Sequence, residues 1–374
     1  MDRRKNVVLI GMPGAGKSTV FKLLLGLYQP RFLDSDLLIQ DEYGKLLHEL
    51  ITEYGVEGFW KIENKVNASI DVKQTVIATG GSVCYEEEAM KHLSEIGVVV
   101  YLKLSYEALE ERLGDLNARG VTLKGHPLCW HTVCADWLLS YDDKTIFEKQ
   151  LERINREVSH FKGKITYWDV INETVILPVF NKYDNAVSRI CARYGRMTLI
   201  KEVFAAAKAA DPEAQLLIND FNTTDKYEKV IEECLQAGVP IDAIGIQSHQ
   251  HQGYWGAKKI KEVIERFSRF GLPVHFTENT LLSGMLMPPE IEDLNDYQVK
   301  SWDTVPFMEI RQQEELAEMY GILLNSPSVK AATYWDFADG AWLNAPSGLV
   351  RVDGTPKPAY DRLKSIVESR HAVK

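Results

Sequence analysis

The chain has 374 residues, 45% of them hydrophobic and 26% charged, with a formal net charge of −10. That length suits two domains and a sizeable core, and the negative field disfavours nucleic acid and anionic membranes as partners. No apolar run approaches a membrane span, residues 7–10 are too short an apolar stretch for a signal peptide, and the five cysteines show no CxxC spacing. A cytoplasmic protein with buried free thiols is expected.

The N-terminal part alternates strands and helices. Residues 7–10 form a β-branched run, followed by a Gly-rich turn and a helix from about Lys17. Further apolar runs lie at 76–78, ending in Thr79-Gly80-Gly81, and at 98–102, before an amphipathic helix through Ala108, Leu109 and Leu113. Such alternation predicts a parallel sheet. Between the first run and its helix, Gly11-Met12-Pro13-Gly14-Ala15-Gly16-Lys17-Ser18-Thr19 matches G-x-x-x-x-G-K-[ST]. Backbone N–H groups of such a loop cradle phosphates, the Lys neutralises their charge and the hydroxyl reaches Mg²⁺.

From Thr122 onward the strand ends change character. Apolar runs stop on polar or aromatic clusters: Gly125-His126-Pro127-Leu128-Cys129-Trp130-His131, Trp168-Asp169-Val170-Ile171-Asn172-Glu173, and Ile218-Asn219-Asp220-Phe221-Asn222. Ile244-Gly245-Ile246-Gln247-Ser248-His249, Thr277-Glu278-Asn279 and Tyr334-Trp335-Asp336-Phe337 follow, and helices are expected near 198–210, 227–237, 258–270 and 309–325. Six βα units with reactive residues at the strand ends predict the mouth of a (β/α)-barrel, two strands short of eight. Glu173 and Glu278 then face one cavity from different strands, as glycosidic cleavage by two carboxyl groups requires.

Two resemblances follow from these motifs. Residues from about 5 to 120 resemble the N-terminal part of shikimate kinase: Leu33-Asp34-Ser35-Asp36 is similar to its D-[ST]-D, Phe59-Trp60-Lys61-Ile62-Glu63 to its F-R-x-x-E, and Thr79-Gly80-Gly81-Ser82 to its glycine-rich strand end. The resemblance implies nucleotide binding by Gly11, Gly14, Gly16, Lys17, Ser18 and Thr19, with Mg-ATP as the ligand. It further implies Mg²⁺ at Ser18 and Asp34, and a kinase-substrate cradle at Asp36, Gly80 and Gly81. Trp60 stands where that family has a carboxylate-binding Arg, and Asn117-Ala118-Arg119-Gly120 runs straight into Thr122 where the family continues with its lid. Phosphate binding without kinase turnover is the expectation.

Residues from about 122 to the end resemble glycoside hydrolase family 10, the endo-1,4-β-xylanases, without the first two barrel strands. The carriers are G-H-P-L-C-W-H at 125–131, W-D-V-I-N-E at 168–173, N-D-F-N at 219–222, G-I-Q-S-H at 245–249, T-E at 277–278 and D-G-T-P-K-P-A-Y at 353–360. The resemblance implies a retaining hydrolase of xylan or xylo-oligosaccharides that needs no cofactor. Glu173 would be the acid/base and Glu278 the nucleophile. His126, Trp130, Asn172, Gln247, His249, Trp335 and Trp342 would be substrate-binding, with His249 also bonded to Glu278. His131 reads equally as a buried core histidine. The family's T-E-L-D is T-E-N-T here, which removes one charge beside His249.

The expected domains are 1–120, a truncated P-loop region, and 121–374, the barrel region, in a chimera-like chain. The strands at Val76 and Val98 either complete the barrel or belong to a separate truncated domain. Besides the xylanase, a P-loop ATP-binding module and an inactive fusion of two incomplete enzymes stay open.

Overall fold

A computed structural model of the chain describes residues 6–10, 20, 31–45, 47–80, 83–102, 106–132, 134–291, 293–297, 299 and 302–371. The fold divides into two compact units, Met1–Arg112 and Leu113–Lys374.

The first unit holds four parallel strands: β1 (Asn6–Ile10), β2 (Arg31–Asp34), β3 (Thr75–Ala78) and β4 (Gly97–Tyr101), in the order β2-β3-β1-β4. Helices α1 (Ser35–Tyr43), α2 (Leu47–Ala68) and α3 (Glu87–Ile96) lie between them, and α4 (Tyr106–Ala118) leads out of the unit. Val8 and Leu9 are fully buried, so β1 needs a neighbour on each side and apolar cover on each face. Asn6 ties the strand starts together: its amide donates to Val72 O and Ile96 O, and its side-chain oxygen accepts from Thr75 N. The strands at Val76 and Val98 therefore pair with β1 in their own sheet, which corrects the expectation that they might complete the barrel. Strand β2 escaped the sequence reading because Arg-Phe-Leu-Asp is short and charged at both ends. Residues 11–19 and Gly81, which carry the phosphate-loop reading, lie outside the described residues.

The second unit is built on β5 (Lys124–Gly125), β6 (Tyr167–Asn172), β7 (Gln215–Asp220), β8 (Ala243–Ile246), β10 (Val274–Leu281) and β11 (Val329–Tyr334), parallel and adjacent in that order. The two-residue β9 (His249–Gln250) pairs with the end of β10. Runs such as Leu216-Leu217-Ile218 are wholly buried, as in parallel strands covered on both faces. Helices alternate with these strands: α5 (Asp143–His160), α6 (Ala186–Tyr194), α7 (Arg196–Ala210), α8 (Asp225–Gln236), α9 (Gly256–Ser268), α10 (Pro306–Asn325) and α11 (Pro358–His371). Asp142, Asn185 and Thr224 cap α5, α6 and α8 by accepting from Thr145 N, Ser188 N and Lys226 N. The sheet curls until its two ends meet at the top: the His126 ring, just past β5, lies 5.4 Å from the Trp335 ring, just past β11. Across the interior, Tyr167 of β6 and His275 of β10 stand 5.1 Å apart. Among the described residues, six strands thus shape a barrel-like mouth, with β5 and β11 as the edges of the sheet.

Candidate active site

Strand β6 ends at Asn172, and the backbone turns sharply at Glu173, which takes φ +59°. A non-glycine residue in this region is strained by about 1–3 kcal/mol. Neighbouring bonds hold it there. Glu173 N donates to Asn219 O at 2.8 Å, and Leu177 N donates to Glu173 O at 3.2 Å. Asp220, at the end of β7, accepts from Thr174 Oγ1 at 3.2 Å and Val175 N at 2.9 Å. The turn aims the Glu173 side chain into the mouth.

Glu278 comes from β10 and is 4% exposed. Its Oε1 accepts from Asn219 Nδ2 at 2.7 Å, and its Oε2 lies 3.0 Å from His249 Nε2. The carboxyl group is thus held at both oxygens, by the Asn219 amide and by the His249 ring. Asn219 is itself fixed, because its Oδ1 accepts from Thr277 Oγ1 at 2.7 Å while its Nδ2 also reaches Asn172 Oδ1 at 2.9 Å. That oxygen accepts a second bond from Gln247 Nε2 at 3.0 Å, and Asn172 Nδ2 lies 3.4 Å from Glu173 Oε1. One amide network therefore connects the two carboxyl groups. Gly245 makes room for it: a Cβ there would fall 2.3 Å from Asn219 Oδ1.

The two carboxyl groups sit in different environments. Burial pushes the Glu173 carboxyl up to about 8, the charges of Asp220 and Glu278 add to the rise, and the nearby Trp130 and Gln247 donors oppose it. Burial likewise lifts Asp220 to about 6 against its backbone bonds. At neutral pH Glu173 therefore carries a proton it can give. A proton donor and a second carboxyl group held by Asn219 and His249 at a single mouth can perform acid-assisted displacement at an acetal carbon.

The sequence profile of "Glycosyl hydrolase family 10" matches residues 47–366. The chain belongs to glycosyl hydrolase family 10. It is 25% identical to "Endo-1,4-beta-xylanase B" of Thermotoga neapolitana, over 72% of this chain and 76% of that one. It is 30% identical to "Beta-1,4-xylanase" of Dictyoglomus thermophilum, over 60% of this chain and 62% of the relative, so it spans less than two thirds of that protein. The solved "Structure of GH10 from Paenibacillus barcinonensis" is 25% identical with a TM-score of 0.58, covering 71% of this chain and 82% of that one.

In this family 10 site the structure brings together every residue proposed for the barrel mouth. His126 Nδ1 lies 2.7 Å from Asp169 Oδ2 and 4.0 Å from Glu278 Oε1. The His126 ring is 6.2 Å from Trp130 and 5.4 Å from Trp335, and Trp335 is 38% exposed. The Trp342 ring rests 4.6 Å from His249. Gln247 turns its amide nitrogen to Asn172, which gives it a bracing contact besides any to a sugar. His131 is buried, its Nε2 lies 3.7 Å from Glu173 Oε2, and burial holds it down to about 4. It is a neutral wall beside the acid.

Sequence reasoning missed Lys124, Asp169 and Asn219 as members of the site. Lys124 Nζ bonds Asp169 Oδ2 at 2.8 Å. Burial alone would raise the Asp169 carboxyl, but the His126 bond and the Lys124 charge hold it below its usual value. The signal was present in W-D and N-D at strand ends. His126, Asp169 and Glu278 offer ligand atoms within 4.8 Å of one another, but Lys124 already supplies the cation there. In the first unit, Asp34 caps α1 by accepting from Asp36 N at 2.9 Å. A Cβ at Gly80 would fall 2.2 Å from Glu63 Oε1 and 2.9 Å from Asp36 Oδ1, so Asp36 and Glu63 both approach the Gly80 backbone, while Gly81 of the expected cradle lies outside the described residues.

Proposed function

We propose that this family 10 chain cleaves β-1,4-xylosidic bonds with retention of configuration, on xylan fragments or xylo-oligosaccharides. The observation that carries the reading is the contrast between Glu173, held protonated to about pH 8, and Glu278, bonded by Asn219 and His249. Glu173 protonates the leaving oxygen while Glu278 attacks the anomeric carbon. The C–O bond to the leaving sugar breaks, the proton goes to that oxygen, and a glycosyl ester forms on Glu278. Glu173, now a carboxylate, takes a proton from water, whose oxygen displaces Glu278. Asn172, pinned by Asn219 and Gln247, is placed to bond the sugar hydroxyl beside the reacting carbon. His126, Trp130, Trp335 and Trp342 offer ring faces and edges to the sugar that remains on the enzyme.

A slow aryl 2-deoxy-2-fluoro-xylobioside tests this. Mass mapping should find the sugar on the peptide containing Glu278, and the first product from a normal substrate should be the β-anomer by NMR. Label on another carboxyl group, or an α-anomer first, would overturn the assignment.

For the first unit we infer a second reading, a P-loop nucleotide-binding module without kinase turnover. It is supported by the parallel order β2-β3-β1-β4, with β1 ending at Ile10 directly before the Gly11 to Thr19 motif, and by the convergence of Asp36, Glu63 and Gly80. On this reading the chain joins two truncated regions, 1–120 and 121–374. Mg-ATP should raise the melting temperature of the wild-type chain and leave that of Lys17→Ala unchanged. Equal responses would remove the reading.

A further inference from the structure

Among the described residues, the nucleophile-facing histidine His249 meets a hydroxyl rather than a second carboxylate at its Nδ1. Its Nε2 meets Glu278 Oε2 at 3.0 Å, and its Nδ1 lies 3.3 Å from Thr280 Oγ1. The same hydroxyl lies 3.4 Å from Nδ1 of His251. A threonine hydroxyl has one proton to give, so it can donate to only one of the two rings.

The far end of this chain decides which. His251 is fully buried, and its Nε2 has no hydrogen-bond partner among the described residues. Its ring stands 5.0 Å from the Trp342 ring and 6.2 Å from His249. Burial, with the neighbouring His249, holds His251 down to about 3, so it is a neutral ring with one N–H. A proton on Nε2 would be a buried donor without an acceptor, the rarer and costlier defect in folded proteins. The N–H is therefore on Nδ1 and points at Thr280 Oγ1.

We propose that Thr280 and His251 form a directed hydrogen-bond chain that positions His249. His251 Nδ1–H donates to Thr280 Oγ1, Thr280 O–H donates to His249 Nδ1, and His249 Nε2–H donates to Glu278. Thr280 and His251 are positioning residues, because neither touches the reacting atoms. They fix which nitrogen of His249 carries the hydrogen. The proposal rests on Glu278 being the nucleophile.

The test uses the full chain labelled with ¹⁵N-histidine. Ring-nitrogen spectra should show His249 protonated at Nε2 and bare at Nδ1, and His251 the reverse. In Thr280→Val, which keeps the shape but removes the hydroxyl, His249 should populate both tautomers. On an aryl xylobioside kcat should fall about tenfold, the worth of one neutral hydrogen bond, with KM within about twofold. Thr280→Ser should restore both readouts. A wild-type His249 protonated at Nδ1, or a Thr280→Val protein with unchanged spectrum and kcat, overturns the chain. Should Thr280→Val not fold, the wild-type spectrum alone decides. Fluoro-sugar trapping on Glu278 reads the nucleophile separately, so a failure of either idea is recognised as its own.

Discussion

Replacing Glu173 by Gln should change the pH dependence of stability as well as activity. The Glu173 carboxyl rises from 4.5 to about 8 in the fold. Between those values the folded state holds a proton that the unfolded state has lost, so wild-type stability falls as pH rises through that window and levels off above about 8. A shift of about 3.5 units corresponds to about 5 kcal/mol at 1.36 kcal/mol per unit. Glu173→Gln keeps the shape and removes the titration. Its stability relative to wild type should therefore be higher at pH 9 than at pH 5 by an amount approaching that figure. The neighbouring Asp220 is present in both proteins, so most of its contribution cancels. Urea unfolding at the two pH values measures the difference. Tryptophan emission suits it, since seven of the eight indoles lie at Trp130 or beyond. A wild-type-minus-variant difference that stays flat from pH 5 to pH 9 would refute the buried, protonated acid. On the proposed role, the same carboxyl should set an alkaline limb of kcat/KM near pH 8 for substrates with poor leaving groups, which a pH–rate profile measures.

Glu278→Gln should show no burst of aryl release on any substrate, whereas Glu173→Ala should give a burst with activated aryl xylosides and deglycosylation that azide accelerates; stopped-flow absorbance separates them. Gly245→Ala should push Asn219 off Glu278 and lower kcat about a hundredfold with circular dichroism unchanged, because a displacement of about 1 Å at a reacting group has that effect. Lys357→Ala should destabilise by about 3–5 kcal/mol in urea unfolding, since Lys357 is 1% exposed and its Nζ bonds Ser283 Oγ at 2.7 Å beside the carboxylate of Asp339.

Much of the second unit was legible because parallel βα units write their strands as short apolar runs and their helices as amphipathic stretches. The expected helices at 198–210 and 309–325 begin two and three residues early, at Arg196 after Gly195 and at Pro306, whose fixed φ suits a first helical position. The motif residues gather at one mouth because strand ends in a parallel sheet share one side. Less legible were the contacts that set each residue's task. Nothing in the string N-D-F-N says that Asn219 bridges Asn172 and Glu278, for that depends on β8 approaching closely at Gly245. The β5 strand keeps only Lys124 and Gly125, so a period-2 pattern could not mark it. In the first unit, β2 has four residues and no alternation, and its place beside β3 is a matter of topology.

Glu173 and Glu278 are supported from the interior of the curled sheet rather than from its edges. Glu173 directly follows β6, its brace Asp220 ends β7, Gln247 and His249 follow β8, and Glu278 and Thr280 stand on β10. These four strands are the interior of the sheet, each paired on both sides. Lys124, His126 and Trp130 on one side, and Trp335 and Trp342 on the other, belong to the edge strands β5 and β11 and their loops. Among the described residues no strand pairs with the outer side of β5, so on that side the wall of the mouth ends at β5 and its loop. A sheet that ends there should grip a long substrate weakly, while Glu173, Glu278 and the amide network between them keep their supports. The expected kinetic signature is a raised KM for longer xylo-oligosaccharides with a kcat on aryl xylobioside that still responds to Glu173, Glu278 and Thr280. A chain whose KM falls steadily with each added glycone unit would place an intact distal wall beyond β5 and contradict this account.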